Sequence, residues 1–200
     1  MAKIKLFSGM DFSGKSTIIK KIDVAMPGVF KRQKKFLTPI DTIETLRGVW
    51  LPAEIWKPLL QKVIREDIVN YQHNGLVLQD TLWIIKYIAT KLEKNSPEDY
   101  EEIEKLQQLL WRYPDMDSFY LTTTIEERIR RFSTRESSGA TISGSDKMLL
   151  SAEVFERTEN YYKNIIVSRF PKTRMIDTSG ATPEQTAKDI MQDKDFLSDV

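Results

Sequence analysis

The sequence predicts an α/β fold, a parallel central sheet with helices on both faces, and three observations carry that prediction. Short β-prone runs alternate with helix-patterned segments along the chain, and parallel neighbours need crossover connections that are most often helical. Leu76-Val77-Leu78 is apolar without the alternation of a half-wetted strand, which suits a strand buried on both faces. Ile18, Ile19 and Ile22 recur at helical spacing directly after a β-prone run and a glycine turn. With 200 residues, 40% of them hydrophobic and 30% charged, the chain fits one domain with one core and room for a small lid.

The elements follow in order. Ile4 to Ser8 reads as the first strand, ending at Gly9, and Ser16 to Val24 as the first helix. A second β-prone piece covers Gln33 to Thr38, ahead of Pro39 and a polar segment up to Arg47 with room for a short helix. From Pro52 to about His73 the apolar residues Ile55, Leu59, Leu60, Val63, Ile64, Ile68 and Val69 recur at intervals of three to five, which predicts a helix, and Gly75 supplies a stop. The strand at Leu76 to Leu78 runs out into Gln79-Asp80, with the carboxylate at its exit edge, and another helix extends to Lys94. Ser96-Pro97-Glu98 offers an N-cap, an N1 proline and an early acid for an acidic helix to about Trp111. Ser118 to Leu121 is the next strand, Thr124 caps a helix through about Phe132, and the polar stretch from Ser133 to Lys147 resembles a mobile lid. A helix from Ser151 to Ser168, a strand at Arg174 to Asp177 and a closing helix opened by Thr182-Pro183-Glu184 complete the chain. Sheets of this type bind ligands beyond the carboxyl ends of their strands. Gly9 to Thr17, Asp80 and the residues after Leu121 and Asp177 are therefore expected at one edge.

Composition excludes several classes of function. Thirty basic against 29 acidic side chains leave a formal charge of +1, too balanced for global attraction to a nucleic acid polymer or an acidic membrane, so any anion site is local. Cysteine is absent, which removes disulfide scaffolds, thiol nucleophiles and cysteine-ligated metal sites. The only histidine, His73, cannot build a multi-histidine metal site and reads as part of a helix terminus. No apolar run approaches the roughly 18 residues of a membrane span, and Met1-Ala2-Lys3-Ile4-Lys5 lacks the apolar core of a secretory signal. A cytoplasmic protein with no membrane and no nucleic acid polymer as partner is the expectation.

One motif carries chemistry. Gly9-Met10-Asp11-Phe12-Ser13-Gly14-Lys15-Ser16 matches the Walker A pattern at every fixed position, between a predicted strand and a predicted helix. There the glycines let main-chain N–H groups turn inward, and the helix N-terminus adds positive dipole. Gly9, Ser13, Gly14, Lys15, Ser16 and Thr17 are read as the ATP-binding loop, with Lys15 reaching the β- and γ-phosphates and the Ser16 hydroxyl on a Mg²⁺ ion. The expected architecture is the P-loop NTPase three-layer fold. Asp80 stands where a carboxylate holds Mg²⁺ through water or accepts a proton from the attacking group. Arg128, Arg131 and Arg135 share one helix face. Phosphoryl transfer spreads negative charge that an arginine from a lid offsets, which makes Arg131 and Arg135 the leading catalytic candidates; pairing with Glu126, Glu127 and Glu136 on a solvated helix is the alternative.

These residues resemble the thymidylate kinase and deoxynucleoside kinase group of P-loop nucleotide kinases, in outline along nearly the whole chain. The loop Gly9 to Thr17 is similar to that of thymidylate kinases, whose aspartate at the third position faces the acceptor sugar; the resemblance puts that role on Asp11. Phe12 replaces the basic residue found there in one subgroup, and the subgroup without that base draws its catalytic arginine from the lid. Tyr120-Leu121 with Glu127-Arg128-Ile129, and Met175 to Gly180 with Pro183-Glu184, resemble the family's approach to the lid and its adenine-side loop. The acceptor side departs from the pattern. Asp80 is followed by Thr81 where the family commonly has arginine, and Phe36-Leu37-Thr38-Pro39-Ile40 stands in place of an arginine-glutamate-proline signature. Arg47 and Arg65 are the candidates for acceptor phosphate, Gln61 falls where thymidylate kinases stack a phenylalanine, and Trp50, Trp56 and Trp83 either line an altered pocket or belong to the core.

The resemblance implies a single kinase domain over residues 1–200 with a lid at about 133–150, a homodimer, and transfer of the γ-phosphoryl group of Mg-ATP to a dTMP-like nucleoside monophosphate or a nucleoside. Two alternatives stay open at this point, a nucleotide-dependent switch or binding module and a kinase of a non-nucleotide small molecule. Guanine specificity has no Asn-Lys-x-Asp sequence to support it.

Overall fold

The structure is a computed structural model that describes residues 3–33, 75–81, 116–140, 142, 147 and 150–197. Its strands are β1 (Lys3–Gly9), β2 (Phe30–Gln33), β3 (Leu76–Asp80), β4 (Met116–Thr122) and β5 (Arg174–Asp177), joined in one sheet of order β2-β3-β1-β4-β5. Every pairing is parallel. The described helices are α1 (Lys15–Ala25), α2 (Ile125–Ser137), α3 (Ala152–Arg169), α4 (Pro183–Gln192) and α5 (Lys194–Leu197). β1 is central, with Phe7 opposite Asp80 on one side and Gly9 opposite Leu121 on the other. Thr122 is opposite Asp177. The loop after Gly9 therefore leaves the middle of the sheet at its carboxyl edge, flanked by the ends of β3, β4 and β5.

Successive strand side chains point to opposite faces, and both faces are covered. Phe7, Phe119 and Leu121 pack with Ile18, Ile19 and Ile22 of α1, Ala187 and Ile190 of α4 and Phe196 of α5 in one buried cluster. On the other face Tyr120 meets Tyr162 of α3, ring centroids 5.8 Å apart. Each fully buried isoleucine of α1 contributes about 1.5–3 kcal/mol, which explains why a helix without a side-chain N-cap bond holds its place. Lys5 interrupts the apolar run of β1, yet its side chain is fully buried. Its ammonium pairs with Asp117, donates to the Asp195 carbonyl at 3.3 Å and lies 5.5 Å from the Phe196 ring centroid, so a buried cation ties α5 under the sheet.

Some boundaries differ from the sequence expectations. The second strand begins at Phe30, ahead of the expected Gln33, because Phe30 pairs with Leu76 and packs 5.6 Å from the Phe196 ring. The helix expected to end near Phe132 continues to Ser137, so the first residues assigned to a lid from 133 are helical. Their polarity is that of a solvated helix face, and the helix stops at Gly139, φ 74°, where the Gly139 and Ala140 N–H groups close on the Glu136 and Arg135 carbonyls at 3.0 and 3.3 Å. The short α5 is not predicted by periodicity. The expected strand residues 34–38 and the expected helices at 52–73, 82–94 and 96–111 lie outside the described residues.

Thr124 caps α2 as its sequence position predicts, its hydroxyl accepting from the Glu127 N–H at 3.3 Å. Replacing an N-cap threonine with alanine removes that partner, so Thr124→Ala is expected to destabilise the fold by about 1 kcal/mol in urea unfolding. An unchanged midpoint would contradict the cap.

Candidate functional site

The loop from Gly9 to Ser16, the candidate phosphate loop, is built by backbone conformation. Gly9 leaves β1 at φ 136° and packs against the neighbouring strand so closely that a Cβ would stand 2.3 Å from the Leu121 carbonyl oxygen. The Ser13 N–H returns to the Met10 carbonyl at 3.2 Å, Phe12 adopts φ 66°, and Gly14 at φ 90° forms the N-cap of α1. The Ile18 N–H bonds to the Gly14 carbonyl at 3.0 Å. The N–H groups of Lys15, Ser16 and Thr17 thus lie ahead of the helix ladder, at its positive end. The buried Lys15 ammonium crosses the loop, donating to the Gly9 and Met10 carbonyls at 2.8 Å each and reaching the Ser13 hydroxyl at 3.4 Å.

Asp80 is brought to the start of α1 by the pairing of β3 with β1. Its Oδ2 accepts from the Ser16 hydroxyl at 2.5 Å and its Oδ1 from the Thr81 hydroxyl at 3.1 Å. Thr81, the residue that replaces the expected arginine, turns at φ 64° with its N–H on the Phe7 carbonyl at 2.9 Å. The carboxylate is therefore buried but oriented from two sides. Behind it, burial pushes the Tyr162 phenol well above its ordinary range, and the Asp80 and Asp11 carboxylates add to that, so the hydroxyl stays protonated.

Arg128, Arg131 and Arg135 of α2 separate by environment. Arg128 is fully buried, with Nε on the Asp11 carbonyl at 3.0 Å and its guanidinium 4.5 Å from the Phe155 ring centroid. Arg131 has donors on the protein at each nitrogen: Nε on Glu127 at 2.7 Å, Nη1 on the Phe12 carbonyl at 3.0 Å and the Thr178 hydroxyl at 3.1 Å, and Nη2 on the Thr178 carbonyl at 2.6 Å. Arg135 is exposed and lies with its guanidinium 5.6 Å from the Phe12 ring centroid. Glu127 also pairs with Arg130 at 2.6 Å. Hydrogen bonds first from Arg130 and then from Arg131 hold its carboxyl at about 2, so it remains ionised at any working pH. Of the charged pairing expected on a solvated helix, Glu127 with Arg131 is present, and Arg131 is shared with the loop through the Phe12 carbonyl.

Thr178 closes the site from β5. Its hydroxyl lies 3.1 Å from the Ser13 carbonyl and 3.0 Å from the Thr122 carbonyl, while Ser179 turns back on Asp177 with N–H and hydroxyl contacts of 2.9 and 2.7 Å. Those two bonds hold the Asp177 carboxyl below its ordinary range. Between Lys15 to Ile18, α2 from Glu127 to Arg135 and the segment Thr178 to Thr186 opens a cleft of about 650 Å³. It is large enough for a nucleotide.

Gly9, Asp11, Ser13, Gly14, Lys15, Ser16, Thr17, Asp80, Arg131 and Arg135 all stand at the carboxyl edge of the sheet, and the cleft is bordered by Gly14 to Thr17, Arg131 and Arg135. Arg47, Arg65, Gln61, Trp50, Trp56 and Trp83 lie outside the described residues. Sequence reasoning placed the segment holding Thr178 at this edge and noted Phe12 in place of a basic residue, but assigned neither side chain a role. A role for Thr178 was accessible from its place after a strand-end aspartate at the binding edge; the packing of α2 on the Phe12 ring was not, because an x position of the motif accepts any side chain.

No family model matches the chain, and no curated protein matches it. Solved structures do. Thymidylate kinase from Candida albicans is similar at TM-score 0.65 and 20% identity, over 95% of this chain and 89% of that one. Deoxyadenosine kinase from M. mycoides, with the products dCMP and dCDP bound, is similar at TM-score 0.61 and 17% identity, over 96% and 97%. Thymidylate kinase from Ehrlichia chaffeensis follows at TM-score 0.54 and 15% identity, over 95% and 97%. Likeness at such identities is a likeness of fold. Among the described residues no helix is long and apolar enough to cross a membrane. With its parallel sheet of five strands among the described residues, flanking helices and a glycine-rich loop leaving the central strand, the chain has the P-loop kinase fold that the similar thymidylate kinase and deoxyadenosine kinase structures share.

Proposed function

We propose that the protein is a kinase of the nucleoside and nucleotide kind, moving the γ-phosphoryl group of Mg-ATP to a nucleoside monophosphate of dTMP type or to a nucleoside. The observation that carries this reading is the convergence of Lys15, the α1 N-terminus and the Ser16–Asp80 pair at the mouth of the cleft. The solved structures of similar fold support the substrate class, since one of them holds dCMP and dCDP.

In this reading the loop amides and Lys15 bind the β- and γ-phosphates. An acceptor oxygen attacks the γ-phosphorus, the bond to the β–γ bridging oxygen breaks, and ADP leaves; an attacking hydroxyl gives its proton to the Asp80 or Asp11 carboxylate, whereas an attacking phosphate oxygen has none to give. Arg135 offsets the charge that spreads over the transferring group, and Arg131, with its donors engaged by Glu127, Phe12 and Thr178, holds the loop against β5. Mg²⁺ fits the donor set. Ser16 Oγ and Asp80 Oδ2 are hard oxygens 2.5 Å apart, and among the described residues no group of three or more acidic, histidine or cysteine side chains forms a protein cage, which leaves the remaining positions to phosphate oxygens and water. When bound, the ion supplies neutralising charge to the β- and γ-oxygens.

The test is product detection by mass spectrometry after incubation with Mg-ATP and a pool of nucleosides and nucleoside monophosphates. A phosphorylated nucleoside or nucleotide is expected. ATP turnover with no such product would move the acceptor to another class of small molecule, and nucleotide binding without turnover would favour a switch.

A further inference from the structure

One face of α2 is devoted to a single residue of the phosphate loop. Arg128, Arg131, Phe132 and Arg135 stand at i, i+3, i+4 and i+7 along one side of the helix. The Arg128 and Arg135 guanidinium carbons lie 5.8 and 5.6 Å from the Phe12 ring centroid, the Phe132 ring 5.6 Å from it, and Arg131 Nη1 is 3.0 Å from the Phe12 carbonyl oxygen. Phe12 is half-buried, borders the cleft and adopts φ 66°, a left-handed conformation that a bulky side chain keeps only when its surroundings hold it there. Those four neighbours are what hold it.

The two cations on the ring differ. Arg128 is buried, bonded to the Asp11 carbonyl and stacked on Phe155 as well. Arg135 is exposed, and among the described residues its guanidinium makes no hydrogen bond or ion pair. A long arginine side chain left to itself samples many rotamers. The negative face of an aromatic ring restricts that sampling without neutralising the charge or using a donor. The cation therefore rests beside the phosphate loop with its N–H groups still available to an anion.

We propose that Phe12 is a positioning residue of phosphoryl transfer, its ring holding the Arg135 guanidinium at the mouth of the cleft so that it meets charge on the γ-phosphoryl group without first being immobilised. The proposal rests on the kinase reading above and assigns the fourth position of the phosphate loop a part in the reaction. Phe12→Leu keeps the bulk and removes the ring face; Phe12→Tyr keeps the face.

The experiment measures kcat and KM for ATP in both variants, in Arg135→Ala and in the double variant Phe12→Leu/Arg135→Ala. Phe12→Leu is expected to lower kcat about tenfold and to raise KM for ATP by less, about two- to threefold, because charge on the γ-phosphoryl group is present in bound ATP and grows in the transition state. Phe12→Tyr is expected to restore the rate, and in the Arg135→Ala background Phe12→Leu is expected to cost nothing more. Additive losses, or a tyrosine variant as slow as the leucine variant, would overturn the proposal and leave Phe12 a packing residue. Phe12→Met serves as the ringless variant should Phe12→Leu fail to fold. A binding arm separates the two readings. Calorimetry with ADP and with the non-hydrolysable analogue AMP-PNP is expected to show that Phe12→Leu weakens only the triphosphate. If the wild-type chain transfers phosphate to no acceptor while that selective weakening is seen, the kinase reading fails and only the hold of Phe12 on Arg135 against a bound γ-phosphate stands; if transfer proceeds and both nucleotides bind Phe12→Leu as they bind wild type, the positioning role fails and the kinase reading stands.

Discussion

Lys15→Ala is expected to abolish phosphoryl transfer while leaving the fold in place. The ammonium sits across the loop with two main-chain carbonyls at 2.8 Å, a geometry in which those carbonyls act as the counter-dipole for a cation at the position where phosphate oxygens are proposed to arrive. Binding a triphosphate exchanges neutral acceptors for anionic ones, which adds the attraction of an ion pair to bonds whose donor is already charged. The charge on the leaving and transferring oxygens grows in the transition state, so the loss falls on the rate more than on binding. A drop of at least about 10²–10³-fold in kcat is the expected size. The fold is expected to survive because Lys15 borders the cleft, from which water can enter the space its side chain leaves and serve the deserted Gly9 and Met10 carbonyls. Steady-state kinetics together with a thermal melt check both halves: a rate within tenfold of wild type would remove Lys15 from the mechanism, and a collapsed melt would make its role structural.

Gly9→Ala is expected to produce the larger loss of stability, for a reason unrelated to charge. The new Cβ would lie 2.3 Å from the Leu121 carbonyl oxygen and 2.9 Å from the Ser13 hydroxyl, with φ at 136°, where an L side chain is strained in any surroundings. The Leu121 carbonyl is backbone of the strand paired with β1, so relief requires the two central strands to part or the loop to change its path. A clash of that kind with strain at a special φ belongs among the severe single substitutions, roughly 3–5 kcal/mol, which lowers the melting temperature by about 10 °C in a chain of this length. Gly180→Ala is the control, since nothing lies within 4 Å of a Cβ built there. A Gly9→Ala melt indistinguishable from that of Gly180→Ala would contradict the close approach of loop and strand.

The parts of the site that are legible in the sequence share one property, short range. The glycines, lysine and serine of the phosphate loop fall within eight consecutive residues, and their conformations follow from which positions lack a side chain. Thr124 and Thr182 are readable as caps for the same reason, each hydroxyl serving an N–H three residues later. Boundaries set by tertiary packing are less legible. Phe30 joins β2 because Leu76 and Phe196 receive it, and α2 runs past Phe132 because a polar sequence is compatible with a solvated helix as well as with a lid.

By itself the sequence determined that the sheet is parallel and where the glycine-rich loop leaves it, the place where phosphate binding is proposed, because loop conformation and hydrophobic period are local properties of the chain. Only the tertiary structure decided that Asp80 meets Ser16 across 64 positions, that Arg128 and Arg131 are tied to the loop across 117 and 119, and that Arg135 alone of the three is exposed. Three arginines at helical spacing are equivalent in a sequence. They become different once a particular ring, carbonyl and carboxylate are packed against each, since hydrogen bonding and desolvation depend on what lies within a few ångströms and not on what is adjacent in the chain.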